Sequence, residues 1–217
     1  ARSSLLSLSS LPLWREERAL FLREQASGVY STTAYFLTVV FFDIIPLRIL
    51  PPCMFTAISY PLIGLQMQSW RGPACFTGLI ILTNVVSTLL SMAVGAVAPS
   101  NAVANVIGSI AAMCQILCGG FLLNKTDLTW TTRYITNLSY INYAFEALLI
   151  NEFKGVDGFQ FTSYTKPPTS VNVTGDAILS TFGYTASAML PDACALVVMA
   201  VLFLLLTYFL LRLKARN

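Results

Sequence analysis

The sequence predicts an all-α membrane protein with four transmembrane helices, and three observations predict it. Hydrophobic residues make up 56% of the 217-residue chain and charged residues only 11%, against about 25% charged in soluble domains, and the mean hydropathy is +0.70. Residues 72–124 include no Asp, Glu, Lys or Arg. A second charge-free run, residues 193–211, is 19 residues long, close to the ~20 that one bilayer crossing needs. The same composition excludes several kinds of chemistry. With no histidine, the chain holds no Ser-His-Asp or Cys-His nucleophile and no His-ligated metal or haem. A net charge of +3 from scattered cations leaves no nucleic-acid footprint, so lipid is the partner this composition selects.

Taken in order, residues 1–34 read as a cytoplasmic segment. Residues 15–30 alternate charged and apolar groups at helical spacing, with Ala19, Leu22 and Ala26 on one face and Gly28 as the stop. The result is an amphipathic helix at the cytoplasmic interface. Its basic residues suit anionic lipid, while Glu16, Glu17 and Glu24 suit docking of a cytoplasmic domain. Residues 35–65 are apolar but interrupted by Asp43, Arg48, Pro46, Pro51, Pro52 and Pro61. One tilted or kinked span is the reading, because proline breaks the hydrogen-bond ladder; two short re-entrant pieces are the alternative. Arg48 would lie about 22 Å along a helix starting near Thr33, where a charge costs on the order of 3 kcal/mol if it faces lipid. Hydrogen bonding to carbonyls freed by Pro51 and Pro52 is one way to hold it.

As a single helix, residues 72–124 would reach about 80 Å at ~1.5 Å per residue, more than twice the ~30 Å hydrocarbon core. The run therefore folds back, and Pro99-Ser100-Asn101 is the turn, giving spans at 73–98 and 103–123. Thr83, Asn84, Ser87 and Thr88 in the first of these offer hydrogen bonds to a neighbouring helix or to a substrate. In the second, Ile110, Met113, Cys114 and Leu117 follow 3–4 spacing and form one soft apolar face, for helix packing or for a cavity. Cys114 and Cys118 share a face, but without further thiolates or His they read as packing residues, and no metal site is expected. The five cysteines all lie in or beside apolar segments, which implies no disulfide framework.

Residues 124–191 form a loop between spans. Residues 128–153 are aromatic-rich and interrupted by Asn and Ser, and read as re-entrant or interfacial helices with Glu146 partly buried. Residues 154–190, with Gly155, Gly158, Pro167, Pro168 and Gly175, read as an exposed cap. The last span and a basic tail fill residues 192–217. Arg2, Arg15, Arg18 and Arg23 precede the first span and Arg212, Lys214 and Arg216 follow the last, so the positive-inside rule puts both termini in the cytoplasm and residues 124–191 outside. The sequon Asn172-Val173-Thr174 falls in that outer loop as a glycosylation site; those at Asn124 and Asn137 abut apolar sequence. Trp14, Trp70 and Trp130 fall beside span ends or interfacial pieces, as an aromatic belt requires. No secretory signal is visible, and the opening reads as the middle of a longer polypeptide.

Several ordered blocks carry a resemblance: Glu17-Arg18 with Arg23-Glu24, Gly28-Val29-Tyr30, Ala34-Tyr35-Phe36, the run from Asp43 through Arg48 to Pro51, Gly120-Phe121-Leu122-Leu123-Asn124, Tyr140 with Tyr143, and Glu146-Ala147 leading to Asn151-Glu152-Phe153. Together they resemble the G-subfamily ATP-binding-cassette half-transporters of the White and breast-cancer-resistance type. The resemblance implies part of a six-helix ABC-2 type exporter domain, starting just before its third helix, with the nucleotide-binding domain elsewhere on the same polypeptide. It implies a coupling helix in which Glu17, Arg18, Arg23, Glu24 and Tyr30 face that domain. It places Arg48, Ile110, Met113, Cys114 and Leu117 near the substrate pathway and makes Phe121 and Leu122 an outer gate, which as a hydrophobic plug would part with the helices. The implied activity is ATP-driven export or flipping of lipids, sterols or other hydrophobic small molecules by alternating access, in a homo- or heterodimer in the plasma membrane. The chain carries no G-x-x-x-x-G-K-[ST] loop and no Leu-Ser-Gly-Gly signature, so this segment is not itself an enzyme and holds no cofactor; ATP and Mg belong to the nucleotide-binding domain. A non-ATP channel or scaffold subunit is the competing class.

Overall fold

The computed structural model describes residues 31–38, 41–42, 45–65, 70–120, 130–156, 159–162 and 170–216. Helices dominate. The region expected to form one kinked span includes α1 (Thr32–Thr38) and α2 (Ile45–Ile63), with Phe41 and Phe42 between them in a wider π-type turn. Arg48 is the fourth residue of α2. α2 contains Pro51, Pro52 and Pro61. Proline donates no N–H, so the carbonyl four residues before it loses its helical partner. Pro52 strips the Arg48 carbonyl in this way, and the repair comes from the next helix: Asn84 Nδ2 donates to that carbonyl at 3.3 Å.

Asn84 belongs to α3 (Arg71–Val97), the helix on which the others are arranged. Three of its hydroxyls bond their own backbone, Thr83 to the Leu79 carbonyl at 2.7 Å, Thr88 to Asn84 at 2.8 Å and Ser91 to Ser87 at 2.9 Å. Self-satisfied hydroxyls of this kind let a polar face be buried against apolar neighbours. α3 ends at Val97, and Ser100 then caps α4 (Asn101–Leu117), its hydroxyl accepting from the Val103 N–H. The expected turn at residues 99–101 is therefore present. Gly120, at φ +77°, takes the chain out of the helical course after α4; the expected end of this span at residue 123 lies outside the described residues.

α5 (Trp130–Asn137) and α6 (Tyr140–Phe153) occupy the stretch read as re-entrant or interfacial. Gln115 of α4 fixes the start of α6, its Oε1 accepting from the Tyr140 N–H at 3.1 Å while its backbone carbonyl accepts from Ser139 Oγ at 3.0 Å. An orphan helix N-terminal donor is satisfied from a neighbouring helix. Glu146, expected to be partly buried, is buried. The cap departs from the all-α expectation: β1 (Phe159–Thr162) and β2 (Ser170–Val173) pair antiparallel, with Gln160 opposite Asn172. α7 (Gly175–Thr181) follows, and Gly175 is buried where exposure was expected. Its N–H donates to the Val156 carbonyl at 2.8 Å, and a Cβ there would collide with the Phe153 carbonyl.

α8 (Met189–Arg216) extends beyond the expected 193–211 span at both ends and runs against α3. Phe36, Leu89, Met92, Ala96 and Leu211 pack together at one end, and Leu79, Val86, Tyr140, Ala144, Ala147 and Leu196 at the other. The buried Thr207 hydroxyl lies 2.7 Å from its own Phe203 carbonyl and 3.4 Å from the Leu89 carbonyl of α3. Tyr208 bridges to α1, with Thr33 Oγ1 3.2 Å from its hydroxyl and the Phe36 ring 5.5 Å away. Among the described residues, α3 and α8 are the two helices long and apolar enough to cross a membrane, while α4 is a 17-residue apolar helix.

Asn84→Leu should lower the thermal stability of the purified protein by roughly 1–3 kcal/mol, because it removes the hydrogen bond to the Arg48 carbonyl, whereas Thr83→Val should cost less than about 1 kcal/mol. Differential scanning fluorimetry in detergent separates the two. In the same assay Gly175→Ala should be destabilising and Gly78→Ala should be neutral or slightly stabilising, since nothing lies within 4 Å of the added methyl at Gly78.

Candidate functional site

The stripe picked out by its 3–4 spacing lies on the outer face of α4. Ile110 is 58% exposed, Met113 69% and Leu117 56%, and Cys114 is exposed beside them. Only Ala104 and Gly108 of this helix are buried, so α4 packs against the chain through small residues, with Gln115 bonding to α6, and turns Ile110, Met113 and Leu117 outward. Small residues let helix backbones approach in a membrane, and that leaves the opposite face for other use. Packing of this stripe against another helix of the same chain is not what the described residues do.

Arg48 belongs to a different helix pair. Its side chain is half-buried, and its carbonyl is tied to α3 through Asn84. The structure thus brings Ile110, Met113, Cys114 and Leu117 onto one face, with Arg48 held at the α2–α3 junction. Glu17, Arg18, Arg23, Glu24 and Tyr30, as well as Phe121 and Leu122, lie outside the described residues. Asn172 is exposed on β2, and the hydroxyl of Thr174 in the same sequon accepts from the Ala177 N–H to cap α7. In the sequon at Asn137 the third residue, Ser139, is buried with its hydroxyl on Gln115.

Two polar clusters had no assigned role in the sequence. At the end of α2, the buried Tyr60 donates its hydroxyl to Glu152 Oε1 at 3.0 Å, and Asn151 Nδ2 lies 2.9 Å from the same oxygen and 3.2 Å from the Gly72 carbonyl. Phe76 packs edge-on against Tyr60 with ring centroids 5.2 Å apart. These groups clasp the end of α2, the start of α3 and the end of α6. The signal available was the Asn151-Glu152 pair at the end of an apolar helix, but its partner lies 92 residues earlier. The second cluster sits where α6 meets the chain leading into α8, with Asn142, Glu146, Tyr184 and Asp192 all buried. Burial, and then the charges of Glu146 and Asp192, push the Tyr184 phenol up to about 12.

Comparison with known proteins places this architecture. The family model for the ABC-2 type transporter matches residues 3–153. The chain belongs to the ABC-2 type transporter family. The ABC-2 chain is 33% identical over 97% of its length to ABC transporter G family member 24 of Dictyostelium discoideum, of which it covers 18%. It is 31% identical over 96% of its length to Protein white of Drosophila melanogaster and 30% identical over 93% to the broad substrate specificity ATP-binding cassette transporter ABCG2 of Mus musculus. It spans 30% and 32% of those two proteins, so the chain corresponds to less than a third of each of these relatives. The resemblance drawn from the coupling, Arg48 and Asn151-Glu152-Phe153 blocks leads to the same group of proteins.

For this ABC-2 chain the exposure of the α4 stripe has a direct consequence. Met113→Ala should change thermal stability by less than about 0.5 kcal/mol, whereas Ala104→Leu on the inner face should cost roughly 1–3 kcal/mol through overpacking. Thermal unfolding of the two variants checks the assignment of faces.

Proposed function

We propose that this chain is membrane-domain sequence of an ATP-driven exporter or floppase for lipids, sterols or other hydrophobic small molecules, working by alternating access as a dimer. The observation that carries the reading is the outward apolar stripe of α4, Ile110, Met113, Cys114 and Leu117, in a chain of the ABC-2 family. A face that is apolar, soft and free of charge fits a hydrophobic substrate, and cysteine and methionine adapt to ligands of different shape. A second half-transporter, identical or paralogous, supplies the other wall of the pathway.

In this reading α1 with α2, α3, α4 and α8 are four spans of a multi-pass plasma-membrane protein with both termini in the cytoplasm. α5 and α6 re-enter the outer leaflet, and the hairpin forms an outer cap that presents Asn172 for glycosylation. Glu17, Arg18, Arg23, Glu24 and Tyr30 form the coupling helix that rests on the nucleotide-binding domain. That domain binds ATP and Mg and makes the full-length protein an ATP-hydrolysing translocase. Closure of the domain moves the coupling helix, the stripe is carried from inner to outer access, and Phe121 with Leu122 seals the pathway until the helices part. Arg48, half-buried at the proline-broken part of α2, stands near the pathway and biases which substrates pass.

Full-length protein in nanodiscs should show ATPase activity stimulated by at least one of four classes: phospholipid, sterol, pigment precursor or xenobiotic. Charge reversal at Arg18, Arg23 and Glu24 should reduce that stimulation roughly tenfold, equivalent to about 1.4 kcal/mol of coupling. Vesicle uptake that continues without nucleotide would place the protein among channels instead. Arg48→Gly should reorder substrate preference at unchanged expression; an equal loss for every substrate would make Arg48 a structural residue only.

A further inference from the structure

One side chain of α6 is buried where its polar group gains nothing. Asn142 is 0% exposed, and neither its Nδ2 nor its Oδ1 has a hydrogen-bond partner. Ser139, buried just before α6, shows that the same region satisfies other polar groups, since its hydroxyl donates to the Gln115 carbonyl at 3.0 Å. An amide buried without partners raises the free energy of the arrangement that buries it. Costs of this kind collect at switch regions, where a second arrangement relieves them.

The end of α4 lies over Asn142. Gln115 pins that end to the start of α6, its Oε1 accepting from the Tyr140 N–H at 3.1 Å. Beyond the pin, Gly119 and Gly120 are buried and rest on two consecutive residues of α6. A Cβ on Gly119 would come 2.6 Å from Ile141 Cγ2, and one on Gly120 2.8 Å from Asn142 Oδ1. Bare main chain therefore sits on the α6 side chains at these two positions, with nothing interlocked. Along α4 itself the buried residues are Ala104 and Gly108, which are equally smooth. A helix pinned at one point and seated elsewhere on small residues can turn about the pin without unlocking side chains. Gly120, at φ +77°, supplies an elbow that glycine adopts without steric cost. The Tyr184 hydroxyl holds the elbow, donating to the Gly120 carbonyl at 3.3 Å. That bond favours the arrangement, and the orphan amide opposes it.

We propose that Asn142 is a switch residue of the transport cycle. Its unsatisfied amide destabilises the arrangement of this structure, and turning of α4 about Gln115 carries Gly120 off Asn142, so that the amide gains hydrogen bonds in the second position. The orphan amide thereby narrows the free-energy gap between the two positions of α4. The inference rests on the alternating-access reading, to which it adds a pivot and the residue that biases it, and it is independent of what is transported.

The test uses full-length protein in nanodiscs. Leucine approximates the shape of asparagine and needs no partner, so Asn142→Leu should raise the thermal midpoint of the nucleotide-free protein by roughly 2 °C or more. By favouring one position of α4 over the other, it should also slow ATP turnover by roughly threefold or more. A lowered midpoint overturns the proposal, because the amide is then satisfied in this arrangement. A raised midpoint with unchanged turnover overturns it as well and makes Asn142 a packing defect. Hydrogen–deuterium exchange of the wild-type protein tests the pivot without a variant: peptides covering residues 116–120 and 139–143 should exchange differently in the nucleotide-free and vanadate-trapped states. Identical exchange of both peptides in the two states overturns the pivot whatever the variant does. Wild-type protein without ATP hydrolysis removes the exporter reading and this inference with it, whereas an active protein with an unmoved pivot removes this inference alone.

Discussion

The structure depends on the backbone groups that proline frees inside an apolar helix. In hydrocarbon no water satisfies a stray carbonyl, so every break in a ladder has to be answered by the protein itself. Pro52 frees the Arg48 carbonyl, and Asn84 of α3 donates to it. The remaining surfaces of α3 then meet α6 and α8, where Leu79, Val86 and Leu89 are buried. Since lipid tails are as apolar as leucine, close packing and hydrogen bonds hold helices together in a membrane, and not the exclusion of water. Thr207 beside the Leu89 carbonyl and Tyr60 on Glu152 are the corresponding devices at α8 and α6.

With α3 buried, the chain divides its apolar residues into two kinds. Those on α3 and the inner side of α8 are internal. Those on the outer faces of α4 and α8 are exposed, yet the two faces differ in character. α8 is a long, leucine-rich helix, and α4 is a shorter helix whose exposed stripe includes Met113 and Cys114 and whose inner side carries Ala104 and Gly108. The first composition suits lipid. The second suits a surface that meets a partner or a substrate, which is why we propose that the pathway runs along α4.

How much of this was legible in the sequence follows from how local each signal is. α3 and α8 were readable because charge-free length is a local property, and the turn at Ser100 was readable because capping and proline chemistry act over three or four residues. The β1–β2 hairpin was missed because two four-residue strands in a polar segment give too short an alternation to separate from loop. Of the site, the α4 stripe was visible by its spacing, but its outward orientation was not, because periodicity gives a face and not its direction. Asn142 was one polar residue among several in an aromatic helix, and its juxtaposition with Gly120 and Tyr184 depends on contacts across 22 and 42 positions of sequence. Tyr60 and Glu152 are likewise joined only by the tertiary fold.

The central claim is that the α4 stripe faces a pathway that water enters in one state of the transport cycle, while the outer face of α8 stays in lipid. The most direct test is cysteine labelling by a membrane-impermeant maleimide in a cysteine-free, full-length background, retaining Cys114 alone or introducing Val201→Cys alone. The account predicts that Cys114 reacts in the nucleotide-free protein and becomes protected in the vanadate-trapped state, while Val201→Cys reacts in neither. Equal inertness of the two positions in both states would contradict it.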